Sequence, residues 1–437
     1  MFRVIRWRDY LAEPHMKEML LGSLAGLVVK VLAALSLFAL NVVVTRALGA
    51  HEAGLFFLGF TLVMIIATIG RLGLDQAVVR FIARDRESKT SNQIHSIYVK
   101  ATSWAFGLTL LLTLVFLLSA EALNDTLFKL SGFTPVFETM LLATPFIALY
   151  IVHAHVLQGL KQISKSMLVA SVFLPIVILI QFGVLPVVYA KYMAGYFVIA
   201  SIVTLLLGKY FWASSAPVVE TSSQFSSAIL RATCMPLWIV AVVHQVIQWS
   251  SQIMLGMWSD AQSVAFFATA QRTAMLTSFI LFAVNAIAAP KFAAMHASGD
   301  AAGVKRLALM SVKGMMILTV PVTIFILLFP SWLMSLFGEE FRNAATALMI
   351  LVVGQFINIA TGSVGHLLAM TGHETKVRDN MIASGMVAVG LGVVLIPEYN
   401  LIGASVAYAC GVASQNLLGV YQVKKYLGFN ILCFWKA

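Results

Sequence analysis

Acidic side chains are scarce in this chain: Asp and Glu number 18 among 437 residues, and all charged residues together make up 11%. A soluble protein carries roughly a quarter charged residues, so an ordinary cytosolic enzyme is excluded. Cysteine is nearly absent. Cys234, Cys410 and Cys433 form no CxxC and no paired framework, which implies neither disulfides nor a zinc site. No carboxylate falls in the middle of any long apolar run. Also missing are a Walker loop, Gly-x-Ser-x-Gly, His-Glu-x-x-His and a DxD-like acidic pair, so the sequence offers no constellation for covalent or metal-dependent chemistry, and no cofactor is expected.

What the chain has instead is apolar length. Hydrophobic residues make up 60% and the mean hydropathy is +0.92. A helical span needs about 20 such residues. Spanning windows fall at 22–45, 54–80, 97–118, 138–160, 166–189 and 193–212, then at 232–258, 263–289, 307–329, 343–370, 378–396 and 401–423. The expected fold is an all-α polytopic membrane protein of twelve transmembrane helices in two six-helix lobes, residues 1–212 and 232–437. The polar stretch 213–231, with Pro217, Glu220 and the run from Thr221 to Ser227, is the expected linker. The N-terminal apolar run lacks a small-x-small cleavage site and reads as a retained first span.

The net charge of +11 would suggest nucleic acid in a soluble protein; here it reflects cations flanking membrane spans, and no nucleic-acid partner is expected. With the N-terminus inside, cytoplasmic segments hold 22 Lys and Arg and the opposite side holds four: Arg46, Lys129, Lys191 and Arg342. Both termini are therefore expected in the cytoplasm. The halves also echo each other. An offset of 210 places Phe266-Phe267 on Phe56-Phe57, and an offset of 213 places His366 on His153 and Gly372 on Gly159. Parallel six-helix repeats with a pseudo-two-fold axis along the membrane normal would produce this pattern.

Three cations, Lys30, Arg71 and Arg272, lie inside spans, where charge is costly and usually functional. Arg272 sits near mid-depth with no acid in its span, and stands out as the candidate anion ligand. Arg71 and Asp75 are spaced i, i+4, which fits a self-neutralised pair as well as a functional site. Lys30 is shallow enough to snorkel, but shares a helix face with Asn41 three turns later. His244, Gln248 and Gln252 form a second polar stripe, with Gln271 beside Arg272; such residues serve either as glue between helices or as a lining for sugar hydroxyls. His153 and His155 point about 200° apart on a helix, so they do not chelate a metal together. A cationic lumen without buried carboxylates suits an anionic substrate such as a phosphate or pyrophosphate.

Short motifs add a resemblance. Thr45-Arg46-Ala47-Leu48-Gly49, Ala53-Gly54-Leu55-Phe56 and the segment from Ile69 to Ala83 resemble the first two helices of polysaccharide-biosynthesis flippases. Leu157-Gln158-Gly159-Leu160-Lys161 and Ala369-Met370-Thr371-Gly372-His373 agree. The chain is similar to Wzx-type oligosaccharide flippases of the multidrug/oligosaccharidyl-lipid/polysaccharide exporter superfamily. That resemblance implies a multi-pass protein of the bacterial inner membrane that moves an undecaprenyl-pyrophosphate-linked oligosaccharide by alternating access. It also implies membrane lipids as surroundings and a polysaccharide polymerase and other assembly proteins as partners. An ion-coupled small-molecule exporter of the same superfamily is the main rival, and the missing mid-membrane carboxylate counts against it. A glycan polymerase or ligase is the third reading; the longest outside loop, 119–137, offers it no reactive constellation.

Overall fold

The computed structural model describes residues 14–87, 93–217 and 223–436. Arg3, Arg6, Arg8, Lys89 and linker residues Glu220, Thr221 and Ser222, used above to assign topology and the linker, lie outside the described residues. Everything described is helix or short connection, with no strand. In hydrocarbon every backbone N–H and C=O must find a partner within the protein, and helices achieve this within each segment.

In chain order the helices are α1 (Pro14–Gly70), α2 (Leu74–Glu87), α3 (Ile94–Leu123), α4 (Phe133–Leu141), α5 (Thr144–Gly159) and α6 (Ile163–Val184). There follow α7 (Ala190–Ser215), α8 (Ser227–Trp258), α9 (Ala261–Met275), α10 (Phe279–Ala297) and α11 (Ala301–Leu328). The last are α12 (Pro330–Ser335), α13 (Ala345–Ala360), α14 (Val364–Met370) and α15 (Glu374–Leu427). Among the described residues nine helices are long and apolar enough to cross a membrane, or ten if the bent pair α4 and α5 counts as one span.

Several connections expected from the sequence are tighter than a loop. The windows 22–45 and 54–80 are joined inside α1, interrupted only by Gly49 at φ 72°, a left-handed conformation that glycine adopts without penalty. The last two windows are likewise joined inside α15, broken at Asn400 (φ 45°) just after Pro397. Window 54–80, in contrast, does not run to its end as one helix. Leu72 (φ 52°) and Gly73 (φ 72°) break it, so Arg71 stands at a helix junction and Asp75 in the first turn of α2.

Packing gathers at two ends of the bundle. At the Gly49 end, one core runs across both halves, joining Val44, Phe56 and Phe57 of α1 to Val264 and Phe267 of α9, and to Phe337, Phe341 and Leu351. At the Gly73 end a separate core joins Leu74, Val78, Ile97 and Val156 to Phe225, Leu230 and Cys234. The later part of the linker is therefore held by the N-terminal half: the Phe225 amide donates to Ser96 Oγ at 3.0 Å, and the Phe225 ring lies 4.8 Å from that of Phe81. Large apolar side chains such as Leu111, Val115 and Leu118 of α3 point outward, as suits a lipid-facing surface.

Candidate functional site

Helix α9 begins with the Asp260 carboxylate capping the Ser263 amide at 2.7 Å and carries Arg272 in its last turn. Arg272 lies eleven residues from Ala261, about 16 Å along the axis, which is close to mid-depth for a span. Its Nη1 donates to Asn41 Oδ1 of α1 at 2.8 Å. The guanidinium carbon stands 4.0 Å from the centre of the Phe57 ring and 5.6 Å from that of Phe60. Cation–π contact offsets part of the desolvation cost without neutralising the charge. Among the described residues no carboxylate pairs with Arg272, so a full positive charge faces the space between the halves. Beside it lies a cavity of about 110 Å³ lined by Asn41, Arg272, Phe38, Leu37, Phe279 and Phe337. A volume of this size is far below what a lipid-linked or drug-sized solute occupies, so a larger solute needs the halves to part.

A buried polar network backs the site within the C-terminal half. Gln271 Nε2 donates to the Gln248 carbonyl at 3.2 Å, and the Tyr408 phenol of α15 lies beside the side chains of Gln248, Gln271 and Gln355. Gln355 Oε1 accepts from Ser278 at 2.8 Å and from Asn358 at 3.2 Å. Gln252 is fully buried and donates to the Phe57 carbonyl at 2.9 Å, tying α8 to the residue that stacks on Arg272. His244, at the head of the same stripe, is exposed. The expected stripe therefore divides: Gln248 is joined to Gln271 and Gln252 to Phe57, none of them lining the cavity beside Arg272, and His244 stands apart.

The other two cations do not join this site. Arg71 lies eleven residues beyond Phe60, about 16 Å further along the chain path. It is buried, with Nε 3.4 Å from Asp75 Oδ2 and Nη2 2.9 Å from Thr68 Oγ1, while its Nη1 has no partner. Thr68 also accepts from Gln245 at 3.0 Å, and Trp238 donates to the Ile69 carbonyl at 3.0 Å, so this cluster fastens α1 to α8 at the Gly73 end. Lys30 is half-buried among exposed Val28, Val31 and Leu32. His153 donates from Nδ1 to its own helix at Leu149 O, 2.7 Å, which leaves Nε2 to accept from the Tyr98 hydroxyl at 3.0 Å.

Sequence reasoning missed Phe60, Tyr408, Gln355 and Ser278, and the role of Phe57. Gln355 and Asn358, spaced i, i+3 in a long apolar run, carried the same signal as the stripes that were noticed. Phe57 was noticed only as a repeat marker, because nothing in a sequence says that an aromatic ring faces a cation.

Residues 19–296, more than half of the chain, match the model of the polysaccharide biosynthesis protein family. The chain belongs to that family. A relative described as a probable low-salt glycan biosynthesis flippase of Haloferax volcanii is 22% identical over 183 residues, covering 42% of this chain and 39% of that protein. This family member thus matches well under half of that relative's length. Its fold is that of the inward-facing conformation of a multidrug resistance MATE family transporter of the MOP superfamily (TM-score 0.77, 16% identity, 93% of this chain and 96% of that one). It is also that of the lipid II flippase MurJ in an inward closed conformation (TM-score 0.72, 12% identity, 93% and 87%).

Proposed function

We propose that this membrane protein is a flippase, working by alternating access and without covalent chemistry, whose substrate is an undecaprenyl-pyrophosphate-linked oligosaccharide destined for O-antigen, capsule or exopolysaccharide. One observation carries the reading: Arg272, near mid-depth between the halves, is held by a neutral amide and two aromatic rings and keeps its charge for a ligand. A pyrophosphate leaving water gains both charge and paired donors from a guanidinium. The glutamine and tyrosine groups behind it are suited to sugar hydroxyls.

The architecture that goes with this reading has twelve spans. Dividing α1 at Gly49 and α15 at Asn400, and taking α4 with α5 as one, turns nine long helices into twelve. Two lobes, 1–212 and 232–437, joined by 213–231 and related by a pseudo-two-fold axis, then rock about one another. The cation count supports both termini in the cytoplasm and the Gly49 end at the far face, and the family resemblance supports a bacterial inner membrane. Closure at that end, and likeness to two inward conformations, support an inward state for this structure.

The test is a charge series at Arg272 at matched membrane levels. Arg272→Lys keeps the charge and loses the fork, so partial glycan export is expected, whereas Arg272→Gln and Arg272→Glu should lose at least about tenfold, the worth of one strong charge-assisted contact. Wild-type export by Arg272→Gln would overturn the headgroup assignment.

A further inference from the structure

The bond between Asn41 and Arg272 crosses 231 positions of sequence and joins the two halves. We propose that Asn41 is a positioning residue that aligns the Arg272 guanidinium for an oxoanion only while the Gly49 end is closed, which makes the affinity of the cationic site depend on the state of the transporter. The proposal rests on the headgroup reading above and adds to it a second residue and a direction.

The geometry is specific. Asn41 is buried, and its Nδ2 donates to the Leu37 carbonyl one turn earlier at 2.8 Å. That bond fixes which way the amide faces, because a carbonyl accepts only from the nitrogen. Oδ1 must therefore face α9, and there it takes one of the five guanidinium N–H groups. Phe57 covers one face of the guanidinium. With one N–H and one face occupied, the side chain is held in a single orientation, and its remaining edge is free to make paired bonds with two oxygens of one phosphate group. No other hydrogen-bond partner of Arg272 is found among the described residues.

Chemistry and position both matter here. A carboxylate at position 41 would pair with the guanidinium and compete with an anionic ligand, whereas an amide orients the cation and leaves its charge intact. Asn41 lies just before the contacts that close the Gly49 end: Arg46 Nε donates to the Leu336 carbonyl at 2.7 Å, and the Ala50 amide donates to Glu340 Oε1 at 2.6 Å. A hydrogen bond is lost beyond about 3.5 Å, so separation of the halves at this end removes Asn41 from Arg272. The fork then loses its support as a path to that face opens, which weakens the grip on the headgroup on the release side.

The experiment uses the full chain in nanodiscs with farnesyl pyrophosphate as probe, measured by equilibrium binding. Asn41→Ala should weaken binding by about tenfold, the value of one hydrogen bond to a charged group. Asn41→Asp should weaken it further, and Asn41→Gln should recover part of the loss. In an Arg272→Gln background, Asn41→Ala should change binding by less than about twofold, since the two residues act as a unit. Thermal melting reports that each variant is folded. A cysteine-free chain carrying Arg46→Cys and Leu336→Cys, bridged by a short bis-maleimide, should bind the probe at least as tightly as before bridging. Wild-type binding by Asn41→Ala, an equal loss in the Arg272→Gln background, or weaker binding after bridging would each overturn the proposal. If Arg272→Gln itself binds normally, the headgroup reading fails as well. Dependence on Arg272 without dependence on Asn41 would sink only the positioning role.

Discussion

Gly54 of α1 lies directly against the backbone of Ala261 at the start of α9: a Cβ at position 54 would stand 1.7 Å from the Ala261 carbonyl oxygen. The obstacle is backbone, not the end of a flexible side chain, so the two helices must separate to admit even one methyl. Gly54→Ala is expected to cost about 1–3 kcal/mol as an overpacking change, and Gly54→Val more. Thermal unfolding in detergent measures the loss. An unchanged melting temperature for Gly54→Val would show that this helix contact does not hold the halves together.

Arg71 and Asp75 form the buried ion pair at the Gly73 end. Removing one partner leaves an uncompensated buried charge, at about 3–5 kcal/mol, while replacing both with apolar groups is often close to neutral. Arg71→Met and Asp75→Leu should each lower stability and transport, and the double variant should recover much of the stability. Recovery of stability without transport would identify a direct role for Arg71 in handling substrate. Additive losses in the cycle would mean that the pair is not a unit.

Tyr408 lies beside three glutamine side chains from three helices, Gln248, Gln271 and Gln355. Tyr408→Phe keeps the ring and removes the one hydroxyl set among these amides, at about 1 kcal/mol. Because Gln271 adjoins Arg272, transport should fall by more than the drop in folded protein alone accounts for. Flipping rate per folded molecule, read by fluorescence-detected chromatography alongside the transport assay, separates the two effects.

Glu340 accepts from the Ala50 amide at the start of the helical stretch after Gly49, where a negative charge also complements the helix dipole. Glu340→Gln should weaken this interlobe contact by about 1 kcal/mol and shift the equilibrium towards opening at the Gly49 end. Spin labels at Tyr192→Cys and Trp332→Cys, both exposed sites placed in a cysteine-free chain, should report a larger population of long distances. An unchanged distance distribution would show that Glu340 is not part of the closure.

Composition and pattern alone determined that this is a helical membrane protein, because an apolar run long enough to span bilayer leaves few other options. The family was legible from short motifs around Gly49 and from Ile69 to Ala83, and the cost of a lone mid-span cation singled out Arg272 without any coordinates. Tertiary structure decided the rest. Helical periodicity says which residues share a face, but not which faces meet. The partnership of Arg272 with Asn41 and Phe57, and the placing of Tyr408 beside Gln248, Gln271 and Gln355, therefore required the fold. The i, i+4 spacing of Arg71 and Asp75 left a self-neutralised pair and a functional site both open, until the fold set them on either side of the break at Leu72 and Gly73, with Arg71 Nε 3.4 Å from Asp75 Oδ2. The scarcity of charge announced that each buried cation had a purpose; whether the purpose was pairing or a free charge depended on which helix packed against it.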